Sequence, residues 1–175
     1  MSDERASGAD QRLLFARAYR ELSPAVVGYL RARGVDDPEA VSQDVFTALY
    51  PRLGTLHGGF EGLRTLVFSI AHARAVDHHR FRSRVPAGVE YDPEYDRRTT
   101  PSAEDHALGG STGIVAMLTT LRPEYREVLA LRIVADLSLE ITAEIMGRST
   151  GAVKQLQRRA LLALREVAAP VGSLA

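Results

Sequence analysis

Apolar residues recur at intervals of three and four along most of this chain, the spacing that lines one face of a helix. Val41, Val45, Ala48 and Leu49 form one such stripe, with Glu39, Gln43 and Asp44 largely on the opposite side. Leu63, Val67, Ile70 and Ala71 form a second, and Val153, Leu156, Ala160 and Leu164 a third. Punctuation then sets the boundaries. A first helix is predicted from about Asp10 to Leu22, and Ser23-Pro24 read as an N-cap and N1 pair that restarts the chain as a second helix to about Arg33. Gly34 stops it. Asp37-Pro38 repeat the start signal for a third helix to about Leu53; after the glycine-rich stretch GTLHGGF, a fourth runs from about Glu61 to Arg82. From about Thr112 the pattern predicts a short helix, and then one from Pro123 to Ala135 with Pro123 at N1. Alternation never persists for a strand length outside residues 85–111, so the fold class is all-α.

The stretch from Ser138 to Arg165 carries the punctuation of a helix-turn-helix. Ser138 suits an N-cap, Gly147 supplies the permissive backbone that ends a first helix, and Ser149 caps a second. The second helix holds Lys154, Arg158, Arg159 and Arg165 with no acidic residue between Ser149 and Arg165. One face therefore packs inward while the other is basic, as a helix that reaches DNA phosphates and base edges requires. An ordinary amphipathic hairpin with a solvated basic face would share the helix-Gly-helix pattern but not this placement of cations.

Charge is segregated although the 175-residue chain has a formal net charge of zero. Between Arg64 and Arg84 five arginines face only Asp77, with His72, His78 and His79 nearby, which makes a basic helix of net +4. From Val85 to Ser111 six acids face only Arg97 and Arg98, a net of −4, among three prolines and three glycines. That composition predicts a flexible acidic linker. Two small helical domains are expected around it, at residues 10–84 and 112–169, joined by 85–111. The absence of cysteine excludes a disulfide scaffold, a zinc finger and a cysteine nucleophile. No apolar run approaches the roughly 20 residues of a membrane span, and the polar start MSDERASGADQR is unlike a signal peptide, so a cytoplasmic protein without membrane insertion is expected. Adjacent His78 and His79 point about 100° apart on a helix, so no metal site is expected. GTLHGGF lacks the Lys-Ser/Thr of a phosphate loop, and no catalytic residue, cofactor or enzyme activity is expected.

DPEAVSQDVFTAL, at Asp37 to Leu49, resembles the polymerase-binding helix D-x-E-D-L-x-Q-E-x-F of the small extracytoplasmic-function sigma factors, which carry only regions 2 and 4. Glu39, Gln43, Asp44 and Phe46 fall on matching positions. FEGLRTLVFSIAHARAVDHHR, at Phe60 to Arg80, is similar to the helix that opens and reads the −10 element, and Leu121 to Arg165 resembles region 4, which reads −35. Together the matches cover roughly 150 residues in order. Ala40 stands where the family often has Asp, Leu66 and Ala73 where Trp and Asn are common, and Leu156-Gln157 where many members have Arg-Leu.

The resemblance implies an alternative sigma factor that binds core RNA polymerase, through its β′ clamp helices and β flap, and directs promoter recognition and transcription initiation. It implies polymerase contacts at Glu39, Gln43, Asp44 and Phe46. It implies −10 DNA contacts at His57, Phe60, Arg64, His72 and Arg80, with the loop from Leu56 to Phe60 forming the pocket for an unstacked base. The −35 contacts would be Ser149, Thr150, Lys154, Gln155, Arg158 and Arg159. An anti-sigma factor is a further expected partner, and the acidic linker would lie along the polymerase's basic interior. Two readings compete: a stand-alone helix-turn-helix transcriptional regulator, which needs a two-fold interface to read half-sites, and a helical adaptor, which leaves the charge segregation unexplained.

Overall fold

A computed structural model describes residues 2–84 and 111–169. Helix α1 spans Ser2–Ala32, α2 Pro38–Leu49 and α3 Gly59–Arg84, with a 3₁₀ segment at Tyr50–Thr55. The C-terminal half contains α4 (Ser111–Thr119), α5 (Pro123–Leu129), a π-helical segment (Ala130–Val134), α6 (Leu139–Met146) and α7 (Thr150–Ala168). No strand occurs among the described residues. The stretch read as a linker lies outside them, apart from Ser111 at the start of α4.

The break expected at Ser23-Pro24 is absent: Pro24 sits inside one continuous helix. Ala18, Leu22, Val26, Tyr29 and Leu30 are all buried at helical spacing on both sides of it. That unbroken stripe offsets the one backbone hydrogen bond a proline removes. Gly34 does end the turn after α1, with φ +74 and with Val35 N donating to the Leu30 carbonyl at 3.1 Å.

Local capping follows the chemistry of the sequence elsewhere. The Asp37 side chain accepts from Ala40 N, with Pro38 in the first turn of α2. That helix ends at Leu49, short of the expected Leu53, where Tyr50-Pro51 turns the backbone into the tighter 3₁₀ form. Pro123 occupies the first turn of α5, but α5 gives way to the π segment, which ends with Ala135 N bonded to the Ala130 carbonyl at 2.9 Å.

A single apolar core runs through both halves, from Ala18 and Val26 on α1 to Leu129, Val153 and Ala160. Within it the Tyr29 and Phe68 rings meet edge to face at 5.9 Å. Helix α1 packs on α2 and α3 and also on α4 and the π segment, so the two halves share it as a wall. Gly28 makes this approach possible, since a Cβ there would lie 3.1 Å from Val134 Cγ1.

Candidate polymerase and nucleic-acid interfaces

On α2, Val45 and Leu49 are buried while Glu39, Gln43 and Asp44 are exposed on the far side. Two of these acceptors and donors are held in place: Arg31 pairs with Glu39, and Gln43 Nε2 donates to the Tyr19 hydroxyl at 3.0 Å. Phe46 does not belong to this surface. It is 1% exposed and packs edge-on against Phe15 at 6.2 Å and Tyr19 at 4.9 Å. An aromatic ring on the inward side of an amphipathic helix is worth more to the core than to a solvated face, so Phe46 supports the surface from beneath.

The loop before α3 is shaped by glycine. Gly58 and Gly59 have φ +89 and +61, and a Cβ at Gly62 would lie 2.1 Å from the His57 carbonyl oxygen. Only glycine fits where the backbone doubles back so closely. His57 is exposed, its Nδ1 2.8 Å from the Thr55 carbonyl oxygen. Phe60 is half-buried, and the Arg17 guanidinium of α1 stacks over its ring at 4.4 Å, a partner that sequence reading did not find.

Helix α3 buries Leu63, Val67, Ile70 and Ala71 and exposes Arg74, Arg80, Arg82 and Arg84. Two side chains expected on its DNA-facing side lie elsewhere. Arg64 turns towards the C-terminal half, with Nη1 3.5 Å from the Ala135 carbonyl oxygen and 3.4 Å from that of Asp136. His72 sits in the seam between the halves, its Nδ1 3.2 Å from Glu127 Oε1 and 3.3 Å from the Tyr29 hydroxyl. Burial holds the His72 pKa below its ordinary value, with the Glu127 carboxylate pulling up and Arg33 pushing down. A neutral ring with its proton on Nδ1 then donates to Glu127. Burial pushes the Tyr29 hydroxyl far up as well.

Glu127 is the centre of this seam. Besides His72 it takes Arg33 Nη1 at 3.1 Å, and the Arg33 side chain is only 9% exposed. Nothing in the sequence marked Arg33, Tyr29 or Glu127, because Tyr29 on α1 and Arg33 in the turn after it meet Glu127 of α5 only in the tertiary fold. The two other histidines of α3 are structural. His79 Nε2 donates to the Arg33 carbonyl at 2.8 Å, and His78 Nε2 lies 3.2 Å from an Asp36 oxygen, pinning the α1–α2 turn.

The C-terminal helix pair has the geometry of a helix-turn-helix. Ser138 Oγ accepts from Ile141 N, Gly147 is left-handed with φ 62, and Ser149 Oγ accepts from Ala152 N. Val153, Leu156 and Ala160 are buried beneath α7. Thr150, Lys154, Gln155, Arg158 and Arg159 are exposed together with Ser149. Arg148 and Arg122 both pair with Glu124 and hold its carboxyl below the usual range, which ties the turn to α5. Arg132 of the π segment donates to Gln157 Oε1 at 3.1 Å and braces α7 from the side.

Residues 117–166 match the Sigma-70, region 4 family. ECF RNA polymerase sigma factor ShbA of Streptomyces griseus is 32% identical over 74% of this chain and 71% of its own length. The chain belongs to the ECF RNA polymerase sigma factors. ECF sigma factor SigD of Mycobacterium tuberculosis is 29% identical over 95% of this sigma factor and 82% of SigD. BldN of Streptomyces coelicolor is 30% identical over 86% of this sigma factor, which spans only 58% of BldN's length. The structure of CnrH in complex with the cytosolic domain of CnrY superposes with a TM-score of 0.64 at 22% identity, covering 94% of this chain and 93% of CnrH, a likeness of fold.

Proposed function

We propose that this sigma factor binds core RNA polymerase through the exposed α2 face of Glu39, Gln43 and Asp44 and gives the enzyme its promoter specificity. Residues 10–84 act as region 2 and 112–169 as region 4, with 85–111 as the connector through the polymerase interior. The loop from Leu56 to Phe60 receives an unstacked −10 base, with His57 and Phe60 lining the pocket and Arg80 holding the adjacent strand. Ser149, Thr150, Lys154, Gln155, Arg158 and Arg159 read or grip the −35 major groove. Catalysis belongs to the polymerase, and the site of action is the cytoplasm. No described helix is long and apolar enough to cross a membrane. An anti-sigma protein that covers the α2 face is the expected regulator.

The observation that carries this reading is the exposed polar and cationic face of α7, raised over buried Val153, Leu156 and Ala160 behind a glycine turn. Run-off transcription by core polymerase with and without the chain tests it. A promoter-dependent transcript that appears only with the chain is the expected result. Stoichiometric co-purification with core polymerase separates it from a stand-alone regulator, which would bind DNA alone.

A further inference from the structure

The outer side of α2 lacks what a desolvated interface needs. Its exposed residues are Glu39, Ala40, Gln43, Asp44 and Thr47, all polar except for the small methyl of Ala40, while Val45, Phe46 and Leu49 are buried. Protein interfaces draw most of their binding energy from a few large anchors, tyrosine among the commonest, set inside a polar rim. Phe46, the aromatic residue of the matched motif, lies beneath the surface and cannot be that anchor.

Tyr19 of α1 is placed to supply it. Its ring meets Phe46 at 4.9 Å and Phe15 at 6.5 Å, yet the residue stays 39% exposed. Its hydroxyl accepts from Gln43 Nε2 at 3.0 Å. Tyr19 therefore touches two of the four motif residues, Phe46 with its ring and Gln43 with its oxygen. Phe15 also meets the Tyr50 ring edge-on at 5.3 Å, so a second partly exposed tyrosine belongs to the same aromatic group. Tyr19, Arg31, Glu39 and Gln43 together line a cleft of about 590 Å³, a concave surface of the kind that receives a partner's side chain.

Packing accounts for the ring of Tyr19 but not for its hydroxyl, since phenylalanine would cover Phe46 and Phe15 as well. The bond to Gln43 is open to water in the free chain, where it adds little to stability. It strengthens where a partner excludes that water, so its effect falls on binding and not on folding.

We propose that Tyr19 is the aromatic anchor of the polymerase-docking surface: its ring provides the apolar centre that α2 lacks, and its hydroxyl holds the Gln43 carboxamide in one orientation for the polymerase. The inference rests on the α2 reading above and extends that surface onto α1.

Titration of core RNA polymerase with the full chain and its variants tests the assignment. Tyr19→Phe keeps the ring and removes only the hydroxyl, and is expected to weaken core binding about fivefold at an unchanged melting temperature. Beside Gln43→Ala the same change should cost nothing further, because the carboxamide that the hydroxyl positions is gone. Tyr19→Leu, which keeps an apolar cover over Phe46 but loses the ring, should weaken binding by roughly tenfold or more. Wild-type affinity in Tyr19→Phe overturns the proposal, and so does a loss that persists in full beside Gln43→Ala. Asp44→Ala separates this result from the reading beneath it. If Asp44→Ala and Gln43→Ala weaken binding and Tyr19→Phe does not, Tyr19 alone leaves the surface. If all three bind as the wild type does, α2 is not the docking face.

Discussion

Arg33 Nη1 lies 3.1 Å from Glu127 Oε2, so the turn that follows α1 is joined to α5 by a charge pair whose arginine is 9% exposed. The pair sits between two halves that are distant in sequence, and its worth depends on both partners staying. Removing one partner of a buried pair typically costs about 3–5 kcal/mol, whereas replacing both with apolar groups is often near neutral. Glu127→Ala is therefore expected to lower stability far more than Arg33→Met/Glu127→Leu, as read from urea unfolding midpoints. Equal losses in the two variants would show that the charges do not work as a unit.

Asp44 and Gln43 are exposed on α2, opposite Val45 and Leu49. A polar anchor lost from a desolvated interface costs about 1–3 kcal/mol. Gln43→Ala/Asp44→Ala should weaken binding to core polymerase by roughly tenfold or more while helix content by circular dichroism stays unchanged. A loss of helix would place these residues in the fold and not at the interface.

At Gly62 a Cβ would lie 2.1 Å from the His57 carbonyl oxygen. Gly62→Ala must push the loop away from α3, at a cost of about 1–3 kcal/mol for overpacking. Permanganate reactivity of the −10 region should fall with it, while His57→Ala, at an exposed position, should reduce reactivity without changing the melting temperature. Equal melting temperatures for Gly62→Ala and wild type would show that the loop relaxes freely.

Burial lowers the His72 pKa, and it lowers that of His79 against the hydrogen bond to the Arg33 carbonyl. Unfolding returns both to about 6.5. The unfolded chain thus binds more protons in the acid range, so their stabilising contribution is complete above pH ~6.5 and is lost as pH falls through the lower folded values. Unfolding midpoints should fall between about pH 7 and pH 5, with a shallower fall in His72→Gln. An identical slope in the variant would assign the effect elsewhere.

Arg158 stands on the exposed side of α7, one turn beyond Lys154. Should it read a base, Arg158→Ala costs about 1–3 kcal/mol and relaxes preference at one −35 position; a phosphate contact would instead reduce the salt slope by about one for every sequence. Run-off transcription from intact and −35-substituted promoters distinguishes the two, and full activity with full discrimination removes Arg158 from the interface.

The helix-turn-helix was legible because each of its signals is local: a serine oxygen finds an amide three residues on, and Gly147 takes a left-handed turn that costs other residues more. The apolar stripes of α2, α3 and α7 were legible for the same reason. Pro24 misled because its local preference for a helix start lost to the buried stripe from Ala18 to Leu30. Phe46 misled because a motif match carries no sign of which way a ring points. The seam was invisible: Arg33 in the turn after α1, His72 on α3 and Glu127 on α5 are ordinary polar residues, and their pairing exists only after α1 has packed on both halves.

Helix α1 contributes one side of its surface to α2 and α3 and another to α4 and the π segment. Dissecting the chain between its halves consequently strips a flank of α1 that carries Gly28, leaving the N-terminal fragment with a bare, close-packing strip where Val134 had been seated. The amino-terminal piece is cut along a wall it shares with the rest.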